Sequence, residues 1–390
     1  MRKSKEELEK LKSEYNTDIL WSWSRYNCYR TSKFEYFLKY ILHKKEDRND
    51  CIYTSTGGIS HTILEKLYNN EIKYDDMIDE FENAWMIYDL SGLKFDRNSA
   101  EKDKNIKEKY YKDLTHFFSH HDVIQRKILL EQFITIKVKN EYFQGYIDAM
   151  MKDDDGNYII LDWKTSSIYK GKKALKECGQ LVLYALGLHQ KGIPWDKIKI
   201  CWNFLKYQNV TIYQKNGNTK VRQIERCKVG ESLATNAKMW LKHFGYEDDM
   251  LEYLDILMMT NDVSGLPKEV QEKYHFEDCY VYVDLTKDLV ESLIDDIVKT
   301  TKEIREKTKM KKYLSVEDGK DNFWDDVENI KNDNYYFSTL CGYSPKLHLP
   351  YAEFLKTLES KQGREKDKMY KQCVADEPKI DDDLSWLENL

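Results

Sequence analysis

Two aspartates on neighbouring segments are the residues best suited to carry chemistry. Asp148 ends the run Gly145-Tyr146-Ile147-Asp148, and Asp162 lies within Ile159-Ile160-Leu161-Asp162-Trp163-Lys164-Thr165. Between the two segments, Asp153-Asp154-Asp155-Gly156-Asn157 is a dense turn signal. Such a turn between two segments rich in β-forming residues predicts a β-hairpin.

A hairpin that closes symmetrically about Asp155 pairs Lys152 with Tyr158 and Asp148 with Asp162. Directly opposed residues have Cβ atoms about 4.5 to 5.5 Å apart, so the two carboxylates would meet on one face. Two such anions repel, and one would take up a proton unless a divalent cation removes the conflict. Oxygen ligands with room for water suit Mg²⁺ or Mn²⁺. The hairpin therefore predicts a metal site.

Strand alternation predicts which cationic side chain lies beside that metal. Asp162 and Lys164 are two residues apart and share a face, whereas Trp163 points to the opposite one. A lysine there can position an attacking water or, as the neutral amine, deprotonate it. An Asp-x-Lys tripeptide alone is more often a solvated edge pair. However, residues 158–161 are apolar on both faces and predict a buried central strand, in which an unpaired charge is costly.

An ordered set of motifs resembles the RecB-like branch of the PD-(D/E)xK nuclease superfamily, within residues 21 to 207. In order, the motifs are Gly57-Gly58-Ile59-Ser60-His61 with Leu64-Glu65, then Glu131, Gly145-x-x-Asp148, Asp162-x-Lys164-Thr165 and Gln180-x-x-x-Tyr184. Each motif alone is weak, but the ordered set is specific. The resemblance implies an α/β fold, with a restriction-endonuclease-like core whose mixed central sheet is flanked by helices.

The resemblance also implies the ligands of the catalytic metal. His61, Asp148 and Asp162 would bind Mg²⁺ or Mn²⁺, with the backbone carbonyl of Trp163 as a further ligand. Lys164 would orient the nucleophilic water. For His61 taken alone, a purely structural role would be the more common one, but its place in the motif favours a ligand.

Three further residues are assigned to the site by the same resemblance. Glu131 would hold or orient a second metal or its waters, the alternative being a solvated carboxylate at the start of a strand. Gln180 and Tyr184 are i and i+4 on one helical face and would lie near the active lysine and the scissile strand. For these two residues the alternative is helix packing.

The net charge of −6 conceals a basic stretch that begins at Lys164. Residues 164–230 contain fourteen Lys and Arg against three Asp and Glu, a surplus of +11 that leaves −17 for the rest. Such a surplus can neutralise DNA phosphates without reading sequence, the alternative being a solvated face with no partner. The residues predicted to contact DNA are Lys170, Lys172, Lys173, Lys176 and Lys206.

Eight cysteines are scattered without any Cys-x-x-Cys pair, which favours reduced thiols over a disulfide framework or a zinc finger. Cas4-like nucleases of the same branch carry an iron–sulfur cluster, and Cys28 is suitably placed for one. The later cysteines Cys279, Cys341 and Cys373 are too dispersed to match that pattern. An iron–sulfur cluster is therefore not expected.

The predicted domain organisation has four parts. They are an α-rich lobe with the histidine motif (1–130), a nuclease core with the basic stretch (131–230), an α+β extension (231–375) and an acidic tail (376–390). In the core, strands are predicted at 132–138, 143–151, 158–166 and 197–207, with one helix at 174–190. The tail is either a disordered terminus or a short peptide for a sliding-clamp protein, with Leu384, Trp386 and Leu387 as anchors.

These features predict a metal-dependent DNA nuclease, in particular a RecB-like exonuclease of a phage or bacterium acting in replication, recombination or DNA degradation. No P-loop motif occurs, so a separate helicase or recombination protein would supply any unwinding. No apolar run approaches a membrane span, and the charged N-terminus favours a cytoplasmic location. The alternatives are a Cas4-like iron–sulfur nuclease that processes DNA ends, and a catalytically silent nucleic-acid-binding or assembly subunit.

Overall fold

A computed structural model of the chain describes residues 3–48 and 50–361. The chain forms two compact units. The first unit contains residues 1–26, 52–92 and 105–304, and the second contains residues 27–51, residues 93–104 and those from 305 onwards. The acidic tail predicted at 376–390 and Cys373 lie outside the described residues. The four-part division inferred from the sequence stays a prediction. Within the described residues, no helix combines the length and apolar character needed to cross a membrane.

A seven-stranded mixed sheet organises the first unit. Its strands are β1 (Leu20–Trp21), β2 (Ile128–Val138), β3 (Glu141–Lys152), β4 (Tyr158–Lys164), β5 (Ile198–Tyr213), β6 (Thr219–Glu225) and β7 (Tyr274–Val283). The order is β1-β3-β4-β5-β6, with β2 also paired to β3 and β7 to β5. The β1/β3 and β4/β5 pairs are parallel and the others antiparallel. The predicted α/β fold, a mixed central sheet flanked by helices, is confirmed.

Helices make up most of the remaining structure. They are α1 (Lys5–Glu14), α2 (Trp23–Thr31), α3 (Lys33–Tyr36), α4 (Ile52–Tyr68), α5 (Asp76–Leu90), α6 (Ala100–His120), α7 (Lys172–Glu177), α8 (Gly179–Gln190), α9 (Val229–His243), α10 (Met250–Thr260), α11 (Lys268–Gln271), α12 (Lys287–Met310), α13 (Val327–Asn332) and α14 (Leu349–Lys361). In the second unit, π-helical turns at Phe37–Ile41 and Tyr336–Leu340 accompany α3, α13 and α14. A buried apolar cluster lies among the last two helices of that unit and includes Phe337, Tyr351 and Phe354.

The hairpin predicted from the turn sequence is present. Strands β3 and β4 pair antiparallel with Lys152 opposite Tyr158, which is the symmetric closure expected about Asp155. Within the turn, Gly156 adopts φ +78°, a left-handed conformation that glycine tolerates without a steric penalty. Strand β4 lies between β3 and β5 and is buried along most of its length, so the prediction of a central strand is confirmed.

The helix predicted over residues 174–190 is wrong in one respect, because the structure divides it into α7 and α8 at Cys178. Gly179, the first residue of α8, packs closely against Trp23. A Cβ at this position would lie 2.2 Å from Cη2 of Trp23, so only glycine admits the indole there. The break leaves Gln180 in the first turn of α8.

Strand β5 is longer than the strand predicted at residues 197–207. Its second half pairs with β6 on one side, from Tyr207 opposite Glu225 to Tyr213 opposite Thr219. The other side pairs with β7, a strand more than 60 residues further along the chain. Residues beyond the motifs therefore complete the same sheet that carries the two aspartates.

A buried ion pair joins β7 to the turn that follows β6. Asp278 is 2% exposed and accepts hydrogen bonds from Arg226 Nη2 at 2.5 Å and from His121 Nδ1 at 2.6 Å. Burial alone would raise the pKa of Asp278, but these two partners outweigh it and the pKa is lowered. The folded pKa thus lies below the unfolded value, so this stabilisation is fully present above about pH 4 and is lost as the pH falls further.

Substituting Asp278→Asn is expected to lower the free energy of unfolding by about 3 kcal/mol at neutral pH, because Arg226 would keep a buried charge without its carboxylate. The variant should also lose less stability on acidification than the wild type, since one carboxyl with a lowered pKa is gone. Urea denaturation followed by circular dichroism over a pH series measures both effects. The matched control is Asp284→Asn at an exposed position just after β7. Equal stability of the two variants would contradict the prediction.

Candidate active site

Three carboxylates form a row across neighbouring strands. Glu131 lies on β2, Asp148 on β3 and Asp162 on β4. On β2, the residues before and after Glu131 pair with Ala149 and Ile147, so Glu131 lies opposite Asp148. On β4, Leu161 pairs with Ala149, so the next residue pair along the two strands is Asp148 and Asp162. Glu131 has φ +46°, a left-handed backbone that is uncommon for a residue with a side chain and is often found at functional sites.

Helix α4 brings a histidine to this row. His61 Nδ1 lies 3.5 Å from Asp148 Oδ2. One ligand atom each from His61, Asp148 and Asp162 lies within 4.8 Å of the other two, close enough for one divalent cation to contact all three. The structure thus brings together the three side chains that the resemblance assigns to the metal.

Trp163 fixes the orientation of the histidine. His61 Nε2 lies 2.8 Å from the carbonyl oxygen of Trp163, and because a carbonyl can only accept, Nε2 donates this hydrogen bond. One helical face of α4 also carries Tyr68, whose ring stacks on the Trp163 indole at 6.2 Å. The bond leaves Nδ1 as the nitrogen that faces Asp148. The Trp163 carbonyl, expected as a metal ligand, therefore acts in this structure as the acceptor that orients His61.

Lys164 is paired directly with the acidic row. Its Nζ lies 2.7 Å from Asp162 Oδ2, and its side chain is 29% exposed. Burial would lower the pKa of Lys164, but the negative charges of Asp162 and Asp148 outweigh it, so the pKa is raised. Lys164 is therefore an ammonium that can donate hydrogen bonds towards solvent beside the carboxylates.

The electrostatics of the site favour a bound cation. Burial raises the pKa of Asp148 well above its usual value, and the neighbouring charge of Asp162 raises it further. Burial lowers the pKa of His61, so its imidazole is neutral and keeps a lone pair on Nδ1. Two carboxylates and one neutral imidazole are a donor set that fits a divalent cation, whose charge would relieve the repulsion between the acids.

Helix α8 contacts strand β3 close to Asp148. Gln180 Nε2 donates to the hydroxyl of Tyr184 at 3.1 Å. The Tyr184 ring lies against Gly145, where a Cβ would be 2.6 Å from Cε1 and 2.8 Å from the hydroxyl oxygen. Burial raises the pKa of Tyr184 to about 12. Tyr184 thus packs against the strand that bears Asp148, in line with the helix-packing alternative, whereas a role near the scissile strand stays a prediction.

A Gly145→Ala substitution is expected to destabilise the fold by about 1 to 3 kcal/mol, because Tyr184 must move to admit the methyl group. The nuclease activity predicted from the sequence should fall as well, since the displaced ring shifts β3 near Asp148. Thermal unfolding and a cleavage assay measure the two effects. Gly58→Ala is the matched control, because nothing lies within 4 Å of the added Cβ in α4, and alanine favours a helix. Similar melting temperatures for the two variants would contradict the prediction.

The lysines predicted to contact DNA fall into two groups. Lys170, Lys172, Lys173 and Lys176 are exposed on the loop after β4 and on α7. Lys206 is only 4% exposed, and its Nζ lies 3.7 Å from the centroid of the Tyr110 ring. The prediction that Lys206 lies on a DNA-binding surface is wrong, because β5 turns this side chain inward.

Tyr169 is a site neighbour that the motifs did not indicate. Its ring makes edge contacts with Trp202 and Phe204 at 5.2 and 5.1 Å, and Ser166 donates to its hydroxyl at 3.2 Å. The phenol is close enough for its charge state to interact with Lys164. Its only sequence signal is its position five residues after that lysine.

Comparison with known families finds one matching family model. A family model described as the PD-(D/E)XK nuclease superfamily matches residues 20–308. The match includes the histidine on α4, the row of carboxylates, Lys164 and helix α8, and it continues through β7 and most of α12. A search of curated proteins finds no match to the chain.

Proposed function

Because the chain belongs to the PD-(D/E)XK nuclease superfamily, we propose that it is a metal-dependent deoxyribonuclease of the RecB-like branch. Its role would be exonucleolytic hydrolysis of DNA in replication, recombination or DNA degradation. The observation that carries the proposal is the convergence of His61, Asp148 and Asp162 within 4.8 Å, with an ammonium paired to the last of them. A silent subunit would have no need for this complete set.

Mg²⁺ or Mn²⁺ is the proposed cation, held by His61 Nδ1 and one oxygen each of Asp148 and Asp162. When bound, it would supply Lewis-acid polarisation of the scissile phosphate and neutralise developing charge. The hydrogen bond from His61 Nε2 to the Trp163 carbonyl keeps the imidazole turned towards the carboxylates. A histidine held through its second nitrogen in this way is a preorganised ligand.

Lys164 is proposed to orient the water that attacks phosphorus. Its ammonium is fixed by Asp162 at 2.7 Å, and its remaining N–H groups can donate to the water or to a non-bridging phosphate oxygen. Attack forms one P–O bond and breaks the ester P–O bond opposite, leaving a phosphate monoester and a hydroxyl. Glu131, at the end of the carboxylate row, would orient further water molecules or hold a second cation.

The DNA backbone is proposed to cross the loop and helix that follow the catalytic strand. Lys170, Lys172, Lys173 and Lys176 are exposed there, and Lys173 Nζ lies 5.0 Å from the centroid of the Tyr169 ring. Exposed ammonium groups next to a phosphodiester-cleaving centre bind phosphates and release counterions, independent of base sequence. This surface would raise DNA affinity without adding to the chemical step.

Replacing Lys170, Lys172 and Lys176 together by alanine is expected to weaken DNA binding. The plot of log binding constant against log salt concentration should become less steep by about 2 to 3. Each phosphate of double-stranded DNA that is no longer neutralised lowers the steepness by roughly 0.9. At saturating DNA the kcat should stay near the wild-type value. Fluorescence anisotropy without divalent metal and steady-state cleavage measure the two quantities.

The matched control replaces three exposed cations of the β5–β6 hairpin, Lys215, Lys220 and Arg222, and so removes the same formal charge. If the control loses more DNA affinity than the first triple variant, DNA binds along the hairpin instead, and the prediction is contradicted.

Digestion of end-labelled DNA tests the function itself. Wild-type protein with Mg²⁺ or Mn²⁺ should release nucleotides from linear DNA and leave closed circles intact, and Asp162→Ala should leave both substrates intact. Using single- and double-stranded forms of each substrate reveals the strand preference and the polarity. Equal digestion by wild type and Asp162→Ala would refute the nuclease proposal, and cleavage of circles would refute the exonuclease part alone.

A further inference from the structure

A second cluster of possible metal ligands lies outside the candidate active site. Asp113 is on α6, Glu225 ends β6, and Cys227 follows two residues later in the turn before α9. One ligand atom from each of these residues lies within 4.8 Å of the other two. The Cys227 backbone N–H also donates to Asp113 Oδ1 at 2.7 Å, which ties the turn to the helix. No residue is shared with the catalytic cluster.

Asp113 has one oxygen that the protein does not satisfy. The residue is fully buried, and among the described residues its Oδ2 has no hydrogen-bond partner. Native proteins seldom leave a buried carboxylate oxygen unpaired, because its desolvation is then uncompensated. Asp113 is a member of the cluster, and a cation bound there would compensate this carboxylate.

Lys206 is a buried ammonium near this cluster, and its positive charge acts on Asp113 and Glu225. Its Nζ lies over the Tyr110 ring, 3.7 Å from the centroid, and in the part of the chain that the structure describes it forms no direct ion pair with either carboxylate. Glu225 pairs at 3.5 Å with Lys228, whose side chain is 43% exposed. A surface pair of this kind is worth little, so Asp113 and Glu225 share the single buried positive charge of Lys206.

We propose that Asp113, Glu225 and Cys227 form a second metal site, which binds a borderline-soft divalent cation such as Zn²⁺. One sulfur and two carboxylate oxygens match the preference of Zn²⁺, whereas the sulfur-free donor set at Asp148 and Asp162 suits harder cations. Binding forms a sulfur–metal bond and releases the thiol proton of Cys227 to solvent. The fourth tetrahedral position is left to water.

The site would act as a structural clamp. One ligand, Asp113, lies on α6, and the other two directly precede and follow Arg226 in the sequence. Arg226 is the residue that pairs with Asp278 of β7. A cation there would tie the helix to the turn that holds this buried ion pair. The folded state alone offers this arrangement, so the cation should raise the melting temperature.

Cobalt spectroscopy on the full-length chain tests the proposal separately from nuclease activity. After chelator treatment, Co²⁺ should produce thiolate-to-cobalt charge-transfer absorption that saturates at one thiolate-bound ion per chain. Cys227→Ser should remove the absorption, and Glu225→Gln should weaken Co²⁺ affinity at least about tenfold. Cys279→Ser, which changes a buried thiol of β7 outside the cluster, should keep it, as should Asp148→Asn, which alters only the catalytic cluster.

Thermal melting provides the second measurement. Zn²⁺ should raise the melting temperature of the Asp148→Asn variant but not that of Cys227→Ser or Glu225→Gln. The proposal is overturned if wild-type protein shows no charge-transfer band, or if the band is as strong in Cys227→Ser. Should Cys227→Ser fail to fold, an unchanged Co²⁺ affinity in Glu225→Gln overturns it equally.

Discussion

The Asp148→Asn variant should cleave DNA about 10⁴-fold more slowly than the wild type, equivalent to about 5.5 kcal/mol of activation free energy. The amide keeps the shape of the side chain but loses the negative oxygen that faces His61 Nδ1 and Asp162. Binding of Mn²⁺ or Mg²⁺ should weaken in parallel. Single-turnover cleavage and calorimetric metal titration measure the two losses.

Stability should change in the opposite direction. In metal-free protein, Asp148 is partly buried beside a like charge, so replacing it with a neutral amide removes repulsion and should leave the melting temperature equal or higher. The control is Asp154→Asn in the turn of the same hairpin, at a side chain that is 87% exposed. Unimpaired cleavage by Asp148→Asn would remove this residue from the site. A large drop in its melting temperature would show that its role is structural.

The Lys164→Met variant should lose about 10³-fold in cleavage rate while it still binds metal. Methionine retains the apolar stem of the side chain but cannot donate to the attacking water. Because Asp162 would no longer share its charge with an ammonium, affinity for Mn²⁺ should be equal to the wild type or higher. Electron paramagnetic resonance of free Mn²⁺ reports binding, and single-turnover kinetics report the chemical step.

Lys199→Met on the adjacent strand β5 is the matched control, because that lysine is 44% exposed and pairs with Asp153 of the hairpin turn. Its cleavage rate should equal that of the wild type. A parallel loss of Mn²⁺ binding and cleavage in Lys164→Met would mean that the lysine supports the ligands instead of the water.

The sequence was most informative where the structure is local. The pairing of Lys152 with Tyr158 follows from five turn residues, because a hairpin register is set by its loop. The juxtaposition of Asp148 and Asp162 follows from the same register. His61 is 101 positions before Asp162, and no local pattern places it there. Only the resemblance to a family with an upstream histidine motif predicted that contact.

Long-range packing determined what the sequence could not predict. A count of charges does not distinguish exposed lysines from Lys206, whose ammonium lies over the Tyr110 ring, or from Arg226, which is 1% exposed. The need for glycine at residue 179 depends on Trp23, more than 150 residues earlier in the chain. These outcomes depend on which distant side chains meet, and neither periodicity nor composition encodes that information.

The central position of β4 has a consequence for the time at which activity can arise during synthesis. All the ligands proposed for the catalytic metal have been translated once residue 164 is added, yet β4 gains its second neighbour only after residues 198–204 of β5 have been added. β5 in turn pairs with β7, which ends at residue 283. A sheet that depends on such distant pairings forms late and slowly. A ribosome-bound chain therefore carries the full set of reactive side chains well before it can cut DNA.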